Sequence, residues 1–230
     1  MKNDEKREWT KAYAKSGMPF PSEYVIRMFK GKYPNCDLKT IGGGFKGKKI
    51  LDISCGIGRD LVLLHQLDFE ELAATEITLE IVEQAKYEMD RLEIPATIRV
   101  GRNSELPFED GYFDYALSWN VCYYLDEDLD FSKHVREYAR VMKKDGILVF
   151  SIPKPECFIY KNGILRGDGL IEITSDPFNV RNGSILKCFS STEDIKRNFE
   201  GFFKDFVFGS IQDDCFGLNY SWFIGYCRKC

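Results

Sequence analysis

Between residues 48 and 152 short apolar runs alternate with amphipathic helical patterns, and this alternation restricts the fold more than any other feature. Strands are expected over about 48–53, then in ELAATEI (71–77), ATIRVG (96–101), YFDYALSW (112–119) and GILVFSI (146–152). The intervening segments carry helical periodicity. Leu61, Leu64 and Leu67 share one face of a helix over about 58–67. Ile81, Val82, Ala85 and Met89 do so within TLEIVEQAKYEMDRLE, and a third helix covers 131–144, closed by KDG. Strand and helix in strict alternation mean a parallel sheet with helices on both faces. Right-handed crossovers then bring every strand's C-terminal end to one edge, where ligands bind.

The flanks read differently. A helical stretch around Trp9–Tyr13 is broken by GMPFP, Ser22 is placed to cap a helix over about 22–31, and GGGFKG (42–47) forms a flexible turn before the first strand. After residue 152, Pro, Gly and Asn punctuate short β-like runs, and a hairpin is expected with strands near 170–174 and 184–189. Ser191 and Asp194 form a variant capping box opening a helix over about 192–200. FKDFVFGSI and YSWFIGYC supply two closing β-runs. The expected architecture is α/β: a Rossmann-like, doubly wound, seven-stranded, mostly parallel sheet with a C-terminal antiparallel hairpin. The whole of 1–230 is read as one domain. Within it, 1–45 form an N-terminal lid segment, 48–152 a ligand-binding core, 153–190 an insertion and 191–230 a helix and hairpin.

Composition narrows the function. A net charge of −4 argues against a general nucleic-acid surface, and hydrophobic residues at 44% are enough for a full core. MKNDEKREWTK has no apolar run and is no secretory signal, and nothing approaches a membrane span. Most of the eight cysteines are scattered singly, which suits free thiols in a reducing cytoplasm. The terminal CRKC lacks two further ligands, so no metal site is expected.

The first strand runs into KILDISCGIGRD (49–60). Its glycines allow close backbone approach to a ligand. Gly56-Ile57-Gly58-Arg59-Asp60-Leu61 lacks the third glycine of a dinucleotide fingerprint, and there is no P-loop Lys-Ser/Thr. Asp52 at the loop mouth disfavours phosphate and favours a cationic ligand without phosphates.

ILDISCGIGRD resembles motif I of the class I S-adenosylmethionine-dependent methyltransferases, often written D-x-G-x-G-x-G, with Ser54 in place of the first glycine. AATEITLEIVEQAK is similar to the second motif of that family, VGRNSELPFEDGYFDYALSWN to its third segment, and REYARVMKKDGILVFSIP to the helix and turn leading into strand five. The resemblance spans about 48–152. It implies S-adenosyl-L-methionine as cofactor, S-adenosyl-L-homocysteine as product, and methyl transfer as the activity. Carried over residue by residue, it implies a cofactor site of Asp52, Ser54, Cys55, Gly56, Gly58, Glu76, Ile77, Asn103 and Ser104, with Trp119 and Asn120 walling the methionine part. Glu76 would accept both ribose hydroxyls. Tyr13 would touch the cofactor if the N-terminal segment is a lid.

The family's usual acid after the glycine of strand three is Arg102 here, which cannot accept a hydrogen bond from the adenine amino group. The Asn103 amide oxygen could; Arg102 could stack on the base or face solvent. Tyr123 and Tyr124 fit either an acceptor pocket or core packing, and are the only candidates for catalysis. His65 and His134 read as structural. No motif names a general base. The Asn/Asp-Pro-Pro-Tyr/Phe signature of nucleobase amino methylation is absent; SWNVC stands in that place. Tyr13, Tyr123, Tyr124, Tyr160, Arg166 and Arg181 lie in 1–45, 120–130 and 153–190, the segments where acceptor specificity is expected. They suit a small polar or anionic acceptor methylated on O or N, with neither nucleic acid nor membrane as partner. A protein or peptide acceptor, or a non-catalytic cofactor-binding module, are the alternatives.

Overall fold

The computed structural model describes residues 8–13 and 20–230. Residues 8–13 are helical (α1), and α2 (Glu23–Lys30) and α3 (Leu38–Ile41) precede the sheet. The core then runs β1 (Lys49–Asp52), α4 (Arg59–Gln66), β2 (Glu71–Glu76), α5 (Leu79–Arg91), β3 (Thr97–Val100), β4 (Phe113–Ser118), α6 (Phe131–Val141) and β5 (Met142–Pro153). β6 (Gly163–Gly167), β7 (Leu170–Ile173) and β8 (Ile185–Lys187) follow, then α7 (Thr192–Phe199), β9 (Phe203–Cys215) and β10 (Leu218–Lys229).

The main sheet has the order β3-β2-β1-β4-β5-β10-β9. The first five strands are parallel, β10 is antiparallel to β5, and β9 pairs with β10 as a hairpin. This is the expected architecture. β1 and β4 are neighbours although two strands separate them in sequence, so the order reverses there. A crevice opens above such a switch point. Ile50, Leu51, Ala116 and Leu117 are fully buried at the centre, as strands covered on both faces require.

Several local expectations are corrected. The helix expected over 131–144 ends at Val141, and residues 142–145 already belong to β5. The cause is competition for its last carbonyls. Gly111 N–H donates to Arg140 O (2.7 Å) and Tyr112 N–H to Val141 O (2.8 Å), drawing Met142 into register with Phe113. Ser22 stands at the N-cap of α2 but makes no cap bond; its N–H and hydroxyl donate to Asp60 on α4 (2.7 and 3.1 Å). The Ser191 cap forms, but Asp194 receives the Ser190 N–H, one residue earlier than a capping box places it. The insertion holds three strands rather than two. β6 is solvent-exposed along most of its length, so no alternation of apolar residues announces it, yet Asp168-Gly169 (φ 49° and 71°) turns it tightly into β7.

Gly42, at the end of α3, lies against the core. A Cβ there would stand 1.4 Å from the Tyr115 hydroxyl, whose ring packs on Phe45 and Phe69. Its φ of −90° suits any residue, so the conflict is steric alone. Gly42→Ala is expected to destabilise the protein by about 1–3 kcal/mol in urea denaturation. Gly42→Ala combined with Tyr115→Phe should lose less than Gly42→Ala alone.

Candidate active site

The C-terminal ends of β1, β2, β3 and β4 meet at the switch point. From β1 the chain leaves through a loop bound on both sides: Ile53 N–H donates to Leu117 O (2.9 Å), Ser54 N–H to Thr75 Oγ1 (3.2 Å) and Cys55 N–H to Thr75 O (3.0 Å). Ser54, Gly56 and Gly58 all have left-handed φ (58°, 61° and 84°). Serine at the first of these costs about 1 kcal/mol that glycine would not. A Cβ on Gly56 would stand 2.8 Å from the Tyr13 ring, and one on Gly58 2.9 Å from Met89 Cε.

Glu76 ends β2 and is buried. Its Oε1 accepts the Gly56 N–H and its Oε2 the Ile77 N–H, both at 2.8 Å. Each oxygen keeps a further lone pair, so the carboxylate can brace the loop and still receive two hydroxyls. Asp52 is 3% exposed, and its Oδ2 has no hydrogen-bond partner. Burial raises its pKa well above the usual carboxylate range, and the nearby Asp60 and Glu76 carboxylates push it further. Burial also raises Glu76 and Asp60. Three buried acids, one with an orphaned oxygen, make a place for a cation. That fits a ligand with a sulfonium and an ammonium, and it opposes a pyrophosphate.

A cavity of about 70 Å³ remains at this edge. Of the residues expected from sequence, Tyr13, Ser54, Glu76, Ile77, Asn103 and Asn120 line it. Asn120 (φ 62°) is clamped to buried Ser151: its N–H donates to Ser151 Oγ, and that hydroxyl donates back to Asn120 Oδ1, both at 2.8 Å. Asp52, Cys55, Gly56 and Gly58 do not line the cavity, although Gly56 is bonded to Glu76, which does. Ser104 stands one step back, its hydroxyl bonded to Asp126. Trp119 points into the core and does not line the cavity. The tyrosine pair divides: Tyr124 lines the cavity, whereas Tyr123 is fully buried between Tyr124 and Trp222.

The Asn103 side chain is committed elsewhere. Its oxygen accepts from the Tyr138 hydroxyl (2.8 Å), and its amide donates to the Val121 and Tyr124 carbonyls (3.2 and 3.3 Å). These bonds fix the Asn103 side chain between α6 and the loop after β4, with one lone pair of its oxygen already engaged. Tyr160 is buried with its hydroxyl on Lys187 O, and Arg166 pairs with Glu172 at the surface, so neither reaches the cavity. Arg181 reaches it through Tyr124 (2.7 Å). His134 is buried with Nδ1 3.0 Å from Cys122 O, and His65 is exposed at the end of α4.

Trp9, Val121 and Asp126 also line the cavity, although sequence reasoning gave Val121 and Asp126 no role. Asp126 sits in the acidic run LDEDLD, where nothing sets it apart from Glu127, Asp128 or Asp130. Among the described residues no cluster could hold a metal ion.

The comparisons agree with this geometry. Residues 51–150 match the family described as methyltransferase domain. An uncharacterized protein of Methanocaldococcus jannaschii is 29% identical over 186 residues, covering 76% of this chain and 66% of that protein, just under two thirds of its length. A SAM-dependent methyltransferase of Methanosarcina mazei superposes with a TM-score of 0.67 at 18% identity, covering 86% of this chain and 98% of the other. The putative methyltransferase of Haloferax volcanii, solved in complex with the Trm112 methyltransferase activator, does so with a TM-score of 0.67 at 15% identity over 99% and 98%. Residues 51–150 thus match the methyltransferase domain family, and the chain shares its fold with the two solved methyltransferases.

Two outcomes test the acids. Glu76→Gln keeps the side chain's size, but its one oxygen can brace Gly56 or Ile77 and not both. Calorimetric affinity for S-adenosylhomocysteine should fall roughly 10–100-fold, about 1.5–3 kcal/mol. For Asp52 the sign follows from its raised pKa. The protonated form adds stability that is full below the ordinary carboxylate value near 3.8 and is lost as pH rises through the raised value. A bound cation lowers that pKa again, so binding S-adenosylmethionine should release a proton, and affinity should rise with pH until Asp52 is ionised in the free protein. Calorimetry in two buffers of different ionisation enthalpy reads the proton, and Asp52→Asn should abolish it.

Proposed function

We propose that the protein transfers the methyl group of S-adenosylmethionine to an oxygen or nitrogen of a small polar metabolite, in a pocket closed by the N-terminal segment and the β6–β8 insertion. The observation that carries this reading is the convergence of three separate segments on Tyr124. Its hydroxyl accepts from Arg181 Nε (2.7 Å), and the same guanidinium is held by buried Asp176 (2.9 Å). Arg181 lies 5.3 Å from the ring centre of Trp9, which meets Tyr124 edge-on at 6.0 Å and stacks on Tyr13 at 5.6 Å. The lid, the loop after β4 and the loop between β7 and β8 thus share one wall. A wall of Tyr13, Tyr124 and Trp9, backed by the half-buried Arg181, suits a small acceptor with hydrogen-bonding oxygen or nitrogen atoms.

When bound, the cofactor supplies the electrophilic methyl carbon. This chain's residues align the acceptor and exclude water, which is most of what such a displacement requires. Asp52 would hold the positively charged end and Glu76 the ribose, with Gly56 and Gly58 allowing the close approach. α1 is fastened over the site by Gln84 Nε2, which donates to Tyr13 O (3.1 Å), and by the contact of the Thr10 and Thr78 hydroxyls (3.4 Å). Trp9 and Tyr13 of α1 line the cavity, so displacing α1 would widen the way in for the cofactor. A reducing cytoplasmic location accords with eight free cysteines. Among the described residues no helix is long and apolar enough to cross a membrane.

Deleting residues 1–20 is the test. Formation of S-adenosylhomocysteine across a panel of hydroxylated, amino and carboxylate metabolites should fall far more than the melting temperature does. Cofactor association should become faster, since Tyr13 no longer covers Gly56. Full turnover by the truncated protein would remove the lid from the account. Absence of turnover with every acceptor, alongside intact cofactor binding, would favour a non-catalytic binding module.

A further inference from the structure

Of the turn after β3, Arg102 and Asn103 line the cavity, and neither brings a carboxylate to a base. The turn is closed by Arg102 N–H to Glu105 O (3.0 Å) and Glu105 N–H to Arg102 O (3.1 Å). Arg102 carries donors only. The Asn103 oxygen already accepts from Tyr138, and its amide donates to the Val121 and Tyr124 carbonyls. The Asn103 and Ser104 backbone N–H groups, by contrast, have no hydrogen-bond acceptor among the described residues.

An acid does reach this part of the cavity, from another element. Asp126, eight residues beyond the end of β4, lines the cavity beside Arg102 and Asn103, and its side chain is 12% exposed. The Ser104 hydroxyl donates to its Oδ2. His134 Nε2 lies 3.8 Å from Oδ2, and Arg102 Nη1 lies 3.8 Å from Oδ1. Burial alone would raise the Asp126 pKa; His134 and Ser104 overcome it and hold the carboxyl well below the usual range. The group is therefore a carboxylate at neutral pH, able to accept and unable to donate.

We propose that Asp126 reads the exocyclic amino group of the cofactor's adenine, and that the backbone amides of Asn103 and Ser104 supply the neighbouring donor to the ring nitrogen. This rests on the cofactor reading of the cavity, with Glu76 and Ile77 at the ribose. An acceptor beside a donor matches adenine, whose edge presents an amino donor next to an acceptor nitrogen. It opposes hypoxanthine, which presents a carbonyl oxygen next to an N–H. The acid that reads the base then comes from the loop after β4, and Arg102 faces Asp126 as its counter-charge.

The test is binding, read by calorimetry on the full chain. Wild-type protein should bind S-adenosylhomocysteine roughly 10–100-fold more tightly than S-inosylhomocysteine, because the inosine carbonyl would face a carboxylate. In Asp126→Asn the amide can turn to donate or accept, and the preference should shrink to within about threefold. Ser104→Ala removes a contact to Asp126 but keeps the carboxylate, so the preference should persist. An undiminished preference in Asp126→Asn would overturn the proposal. Should that variant fold poorly, the wild-type comparison decides by itself, since equal affinity for the two nucleosides would overturn the proposal equally. Failure of wild-type protein to bind either nucleoside would overturn both the proposal and the cofactor reading, whereas binding without discrimination would overturn the proposal alone.

Discussion

The site depends on one buried carboxylate, that of Glu76, held between two strands' loops. Its oxygens take the Gly56 and Ile77 N–H groups at 2.8 Å, joining the turn after β1 to the turn after β2. The loop after β1 carries three left-handed residues, which as an isolated segment would be conformationally loose. Glu76 and Thr75 give its amides fixed acceptors, so the loop presents one shape. A carboxylate that accepts hydrogen bonds from amides and hydroxyls alike can serve as a strut and remain a ligand. Glu76 thereby couples the stability of the turn to the chemistry of the crevice.

Electrostatics sets what this crevice can hold. Asp52, Asp60 and Glu76 are all buried, and burial raises all three pKa values. Asp60 is eased by two bonds from Ser22, which ties the segment entering α2 to the helix that follows the glycine loop. Asp52 has no such relief at Oδ2. The arrangement is costly without a cation and favourable with one, which is the logic of a site for a sulfonium cofactor. On the far side of the cavity the balance differs. Asp126 is ionised beside His134 and Arg102, and Arg181 is neutralised by Asp176, so one short cavity spans two distinct electrostatic settings.

Much of this was legible in the chain itself. The alternation from 48 to 152 is a repeated burial pattern, and burial on both faces of β1, β4 and β5 leaves little room for another fold. Asp52, Gly56, Gly58 and Glu76 are adjacent to strand ends, so the parallel topology alone carries them to one edge. Where α6 ends was not legible, because the N–H groups of Gly111 and Tyr112 compete for its last carbonyls across some thirty residues of sequence. β6 was missed because an exposed strand carries no apolar alternation.

The sequence by itself determined the parallel sheet, the glycine loop and the acids at its mouth, since local periodicity and strand-end position suffice for those. Only the tertiary structure separated Tyr124 from Tyr123, turned Trp119 into the core, and bonded the Asn103 side chain to Tyr138. It alone brought Asp126 beside Arg102, and Arg181 to within 2.7 Å of Tyr124 across 57 residues. The physical reason is that a side chain's direction and its hydrogen-bond partners depend on what packs around it. Those neighbours come from loops whose paths no local pattern encodes.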